Sequence, residues 1–136
     1  MKRFIIEKDF IVDGFRCVIV GTRLGHRCGY IEIPQGHYLY EKHDSEIHID
    51  IHGGWTYSSH GDDYPVKSNN KSWWIGFDCA HCGDGKDLDL IKKCGDDMFL
   101  NRFIEMQLIF PSSGEIRTVE YVENELRNAV KCIRVY

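Results

Sequence analysis

The end of the chain carries the strongest constraint on its fold. Ile116, Val119, Val122, Leu126, Ala129, Val130 and Ile133 recur at three- and four-residue intervals, which lines up apolar side chains on one stripe of an α-helix. Glu120, Glu123, Glu125, Arg127 and Lys131 stand between them and read as its solvated face. Ser112 and Glu115 have the spacing of a capping box for that helix. An amphipathic helix of this kind needs an apolar surface to lie on.

The preceding residues predict that surface as a sheet. Residues 2–33 read as strands, with Asp13-Gly14 as a hairpin-turn signal between the first two. Arg16-Cys17-Val18-Ile19-Val20 is a short run rich in β-branched residues, and Tyr30-Ile31-Glu32-Ile33 alternates until Pro34 stops it. Residues 34–45 read as a polar loop. Over 46–52, Ile47, Ile49 and Ile51 alternate with Glu46, His48, Asp50 and His52, which predicts a further strand. Residues 58–71 read as a second polar loop and Ser72 to Phe77 as another strand. Asp84 or Asp87 is the expected cap of a helix running through Cys94 and ended by Gly95. Met98 to Phe110 reads as a second helix, stopped by Pro111. Strands first and helices last predict an α+β fold: an antiparallel β-sheet from the N-terminal two-thirds, with C-terminal helices packed on one face, in a single domain spanning 1–136.

At 136 residues, with 43% hydrophobic and 28% charged, the chain can bury a core without disulfide staples. The net charge of −4 and the absence of any Lys/Arg run longer than two argue against duplex nucleic acid as a partner. No apolar run approaches the ~20 residues of a membrane helix. Glu7, Lys8 and Asp9 interrupt the N-terminal apolar stretch, unlike an ordinary signal peptide. The six cysteines then read as thiols of a reducing, cytoplasmic interior.

Chemistry-bearing residues gather where predicted strands end, the usual place for a site. The densest group is Asp78-Cys79-Ala80-His81-Cys82-Gly83-Asp84. One reading is a metal centre built from Asp78, Cys79, His81, Cys82 and Asp84, joined by His52. Cys79-x-x-Cys82 is half of a zinc knuckle, without a second compact pair. A second reading makes Cys79 a nucleophile with His81, His52 or His37 as its base. A third is a pocket for a small polar ligand: Trp55, Tyr57, Trp73 and Trp74 as stacking faces, His37, His52, Asp78 and His81 as hydrogen-bonding groups, Arg23 and Arg27 for a phosphate or carboxylate. Asp44, Asp50, Asp62 and Asp63 read as solvated loop carboxylates.

The strings Gly25-His26-Arg27-Cys28-Gly29-Tyr30, Gly36-His37, His52-Gly53-Gly54 with Thr56-Tyr57, and Trp73-Trp74-Ile75-Gly76-Phe77-Asp78-Cys79-Ala80-His81 resemble a family found in tailed phages, prophages and bacterial genomes. The likeness covers nearly the whole chain. That family has no established activity to carry over. Many members have a longer segment between the Gly-His loop and the His-Gly-Gly motif, and the family pattern does not require a cysteine at the position of Cys82. The resemblance therefore favours Asp78, Cys79, His81 and His52 over the two-cysteine knuckle. Its setting implies an accessory role in a host cell, including inhibition of a bacterial defence.

Three functions compete on these grounds. The first is a binding module for a nucleotide-like ligand or a host protein, through Arg27, His37, His52, Trp55, Tyr57, Trp74, Asp78 and His81. The second is a small hydrolase or transferase using Cys79 or a metal such as zinc with His52 and His81. The third is an acidic inhibitor docking on a cationic complex. An oligomer is compatible with each. All three require the turns near positions 37, 52 and 80 to gather at one rim of the sheet.

Overall fold

Asp13 and Gly14 adopt φ values of 48° and 85°, the doubly left-handed geometry whose twist matches a two-residue hairpin. They join β1 (Phe4–Val12) to β2 (Phe15–Thr22). In this computed structural model, which describes residues 2–111 and 114–134, the hairpin continues into β3 (Arg27–Ile33), β4 (Tyr57–His60) and β5 (Trp73–Asp78). The five strands form one sheet in the order β1-β2-β3-β5-β4, with every pairing antiparallel. A two-residue parallel pair, β6 (Asp84–Gly85) with β7 (Glu115–Ile116), lies apart from it.

Three helices follow the strands, so the fold is α+β. Asp87 caps α1 (Leu88–Cys94) by accepting from the N–H groups of Asp89 and Leu90, and Gly95 ends it at φ 76°. Asp96 caps α2 (Asp97–Ile109). Thr118 caps α3 (Val119–Ile133) by accepting from Tyr121 N–H. The expected Ser112–Glu115 box does not start α3: Ser112 is outside the described residues, and Glu115 and Ile116 belong to β7.

The two faces of the sheet are covered differently. On one face Cys17, Ile19, Ile31, Ile33, Ile75 and Phe77 pack with Val122, Leu126, Ala129, Val130 and Ile133 of α3, each large apolar side chain contributing about 1.5–3 kcal/mol. On the other face Val18, Val20, Tyr30 and Trp74 are roofed by Tyr57, Tyr64 and Val66. Most of that second roof is the segment read from sequence as a polar loop.

The expected strand over 46–52 is absent. Asp44–Glu46 is a turn of 3-10 helix, and the fifth strand is β4 instead. The isoleucines do turn inward: Ile47 is buried, and Ile49 and Ile51 pack against the same core. The backbone finds its partners in side chains rather than in a ladder, with Ile49 C=O accepting from Trp55 Nε1 and His52 N–H donating to Glu125. Alternating burial does not require a neighbouring strand when side chains satisfy the main chain. Among the described residues, no helix is long and apolar enough to cross a membrane.

Candidate functional site

The antiparallel register sets Cys28 of β3 against Asp78 of β5, so the start of β3, the end of β5 and the first turn of α3 share one rim. Beyond Asp78 the chain turns through Cys79 to Gly83 and enters β6. The pairing of β6 with β7 brings Arg117, just past β7, against Asp84: Arg117 Nε donates to Asp84 Oδ1 at 2.8 Å. One turn into α3, the Tyr121 hydroxyl lies 2.8 Å from His52 Nδ1. One turn further, Glu125 Oε1 accepts from His52 N–H at 2.7 Å. Positions i and i+4 of α3 thus clasp one histidine.

Asp84 is the hub. Its side chain is 1% exposed. Oδ2 accepts from His81 N–H at 3.0 Å and lies 2.9 Å from His52 Nε2. Burial alone would raise its pKa, but the bonds from Arg117, His52 and the His81 N–H outweigh that and hold it at about 2. A carboxylate only accepts, so His52 Nε2 carries the proton. In the neutral ring Nδ1 then accepts from the Tyr121 O–H.

His81 completes the cluster. Its Nδ1 is 3.5 Å from Asp84 Oδ2 and its Nε2 is 3.7 Å from Asp78 Oδ1. Asp78 is itself fixed by Thr56 Oγ1 at 2.9 Å and Ala80 N–H at 3.1 Å. The His81 ring passes so close to Gly53 that a Cβ there would lie 2.3 Å from its Cε1, and Gly53 has a φ of 69°. Backbone angle and clearance both demand glycine. The His-Gly-Gly and Asp-Cys-Ala-His motifs meet at that contact. The His81 side chain is 38% exposed, which opens the cluster to solvent.

One ligating atom each from His52, His81 and Asp84 lies within 4.8 Å of the others. Two imidazoles and a carboxylate form a donor set suited to zinc or another divalent first-row metal. The atoms turned away from the common centre each face an outer group: Asp84 Oδ1 meets Arg117, His52 Nδ1 meets Tyr121, and His81 Nε2 faces Asp78. Metal ligands are commonly oriented through such partners, and a metal on His52 Nε2 would move the ring proton to Nδ1, which would then donate to the Tyr121 oxygen.

Other residues singled out from sequence lie elsewhere. His37 is at the opposite end of α3, its Nε2 3.1 Å from Ile133 C=O and its Nδ1 accepting from Leu39 N–H. The twelve-residue interval from Tyr121 to Ile133 is about 18 Å of helix, so the turn near 37 does not join those near 52 and 80. Arg27 is buried, its guanidinium engaged by Glu7, Asp87 and Arg117 C=O, rather than offered to a ligand. Trp74 is fully buried and donates to Ser68. Trp55 is buried with Nε1 on Ile49 C=O. Tyr57 packs on Tyr30 and Tyr64 across the sheet. Cys79 is 1% exposed. Burial, reinforced by the Asp84 charge, pushes its thiol to about 12, which keeps it protonated rather than poised for attack. Cys82 is exposed and Cys79 buried, and among the described residues neither joins the metal-competent group.

Arg117, Tyr121, Glu125 and Thr56 are the members that sequence reasoning missed. Glu125 had the look of a solvated charge. The available signal was Tyr121, an aromatic residue off the apolar stripe of α3 and four residues before Glu125. Compared with known proteins, the chain matches no family model, no curated protein and no solved structure.

Proposed function

We propose that this chain is a small metal-dependent hydrolase whose centre is a divalent transition metal held by His52, His81 and Asp84. The observation that carries this reading is the inward convergence of one atom from each residue to within 4.8 Å, while the remaining polar atom of each faces an outer partner. Three protein ligands leave a coordination position for water, and a bound metal brings water's pKa near neutrality. The exposed side of His81 is where a substrate would approach.

The donor chemistry favours this over a cysteine nucleophile, because the Cys79 thiol is buried and protonated. It also favours it over a stacking pocket for a nucleotide-like ligand, because Trp55 and Trp74 are in the core. The test is metal analysis of the purified full chain together with zinc titration by calorimetry. Stoichiometric metal, lost in His81→Ala and in Asp84→Ala, is expected. A chain that is metal-free and takes up neither zinc nor manganese would falsify the reading.

A second reading draws on the same hydrogen bonds. Asp84, His52 and Tyr121 form a chain of 2.9 and 2.8 Å contacts, which would serve as a metal-free relay in which His52 Nδ1 takes the proton of the Tyr121 hydroxyl and Asp84 stabilises the resulting imidazolium. Hydrolytic turnover that survives chelation yet disappears in Tyr121→Phe would favour it.

A further inference from the structure

Helix α2 is thirteen residues long and none of them is buried. Phe99, Leu100, Phe103 and Gln107 are half-buried and turn toward the body of the protein. One outward stripe is Met98, Arg102, Glu105 and Ile109, at the i, i+4, i+7, i+11 spacing of one helical face, with Asn101, Ile104, Met106 and Leu108 also exposed beside it. Met98 is 70% and Ile109 66% exposed. Arg102 and Glu105 are exposed, and neither has an ion-pair partner among the described residues. A solvent-facing helix that ends in apolar residues and carries one unpaired charge of each sign at its middle is unusual for a monomer's surface.

The order of that stripe is self-complementary. An antiparallel copy of α2, related by a two-fold axis crossing between Phe103 and Ile104, sets Arg102 against the partner's Glu105 and Met98 against the partner's Ile109. The axis repeats both pairs. A parallel copy would instead oppose like charges, so the stripe selects orientation as well as partner. We propose that α2 is a homodimerisation helix: two copies of this chain meet through antiparallel α2 helices, at the 8–10 Å spacing of packed helices, with two Arg102–Glu105 ion pairs flanked by Met98–Ile109 contacts. The occupant is a second copy because the complement of every group on the stripe is already on the same stripe. An isologous interface has this property, and an unrelated partner gives no reason for it. The net charge of −4 on each copy opposes indiscriminate association and leaves the registered one favoured.

The test is sedimentation of the full chain with charge-reversal variants. Arg102 and Glu105 are exposed and unpaired, so R102E and E105R should keep the fold, as circular dichroism would verify. Wild type should be a reversible dimer. Each single reversal places like charges across the axis and should raise the dissociation constant about tenfold or more. An equimolar mixture of R102E with E105R should regain dimers, as heterodimers detectable by native mass spectrometry, because each chain then carries the complement of the other. The double variant R102E/E105R should dimerise like wild type. A wild-type chain that stays monomeric at millimolar concentration overturns the proposal. So does a dimer indifferent to both reversals, or a pair of single variants that fail to rescue each other.

Discussion

Helix α3 meets a histidine near each end, and the two are held in opposite ways. His37 packs edge-on against Phe15, and its two ring nitrogens meet the Ile133 carbonyl at the end of the helix and the Leu39 N–H. Its hydrogen-bond partners are backbone groups of fixed position, so the ring closes a helix end. His52, near the other end, lies between a buried carboxylate and a phenol, with a second imidazole 5.9 Å from its ring centre. Every one of those neighbours is a side chain that can ligate, donate or accept in more than one state. Two loop histidines beside the same helix thus differ in whether their hydrogen-bond partners are backbone or titratable side chains. That difference separates a structural tie from a candidate reactive centre.

The contrast can be broken in graded steps. The largest effect is expected from the ligands: His81→Ala or Asp84→Ala should weaken zinc binding by more than the roughly 10–100-fold that losing an outer partner costs, read by calorimetry. Unchanged affinity would leave His52 no different in kind from His37. Gly53→Ala forces a side chain into left-handed backbone at about 1–2 kcal/mol and into the His81 ring. Urea stability and zinc affinity should fall together, and intact affinity would show that His81 can move aside without consequence. Tyr121→Phe should weaken zinc binding by about tenfold with little change in urea midpoint, since it removes only the outer hydroxyl.

Asp87→Asn tests the buried charge beside the rim. Burial works against ionisation of Asp87, but Arg27 and the N–H groups of Leu90 and Asp89 hold its pKa below 3.8. A folded-state value depressed in this way adds stability that is full above 3.8 and is lost as pH falls through the lower folded value. The variant should therefore show a flatter loss of stability below about pH 4, with a cost of about 1 kcal/mol at neutral pH. An unaltered acid limb would mean that Glu7 alone satisfies Arg27. The smallest effect belongs to His37→Ala: up to about 1 kcal/mol of stability and no change in zinc affinity. Any loss of metal binding there would undo the distinction between the two ends.

The parts of the molecule legible in the sequence are those decided locally. Asp13-Gly14 requires its turn, Asp87 and Gly95 bracket α1, and the stripe from Val122 to Ile133 buries as its spacing predicts, whereas Ile116 lies outside the helix in β7 and is exposed. His52, Asp78 and His81 were legible as loop residues at strand ends, and the antiparallel pairing of β4 with β5 explains why the loop before β4 and the loop after β5 share a rim. Residues 46–52 misled because period-two burial has more than one cause, and here side chains of Trp55 and Glu125 do the work of a neighbouring strand. Tyr121 and Glu125 were illegible because a polar residue on a helix looks the same in sequence whether it faces water or another loop, and Arg117 because the β6–β7 pairing that carries it to Asp84 is only two residues long. Trp55 and Trp74 were misplaced for the converse reason: an indole suits a core as well as a pocket, and only packing decides.

The short parallel pair of β6 with β7 has a consequence for how the rim comes into being. A Cβ on Gly85 would meet Gly114 C=O at 2.7 Å, and one on Gly114 would meet Asp84 backbone at 2.8 Å, so the two stretches run main chain to main chain. This rivet joins segments that have α1 and α2 between them. It sets Arg117 beside Asp84, while the packing of α3 on the sheet brings Tyr121 to His52. The rim is consequently a product of the finished molecule: a fragment ending before β7 would keep His52, His81 and Asp84 yet lack the guanidinium and phenol that orient them.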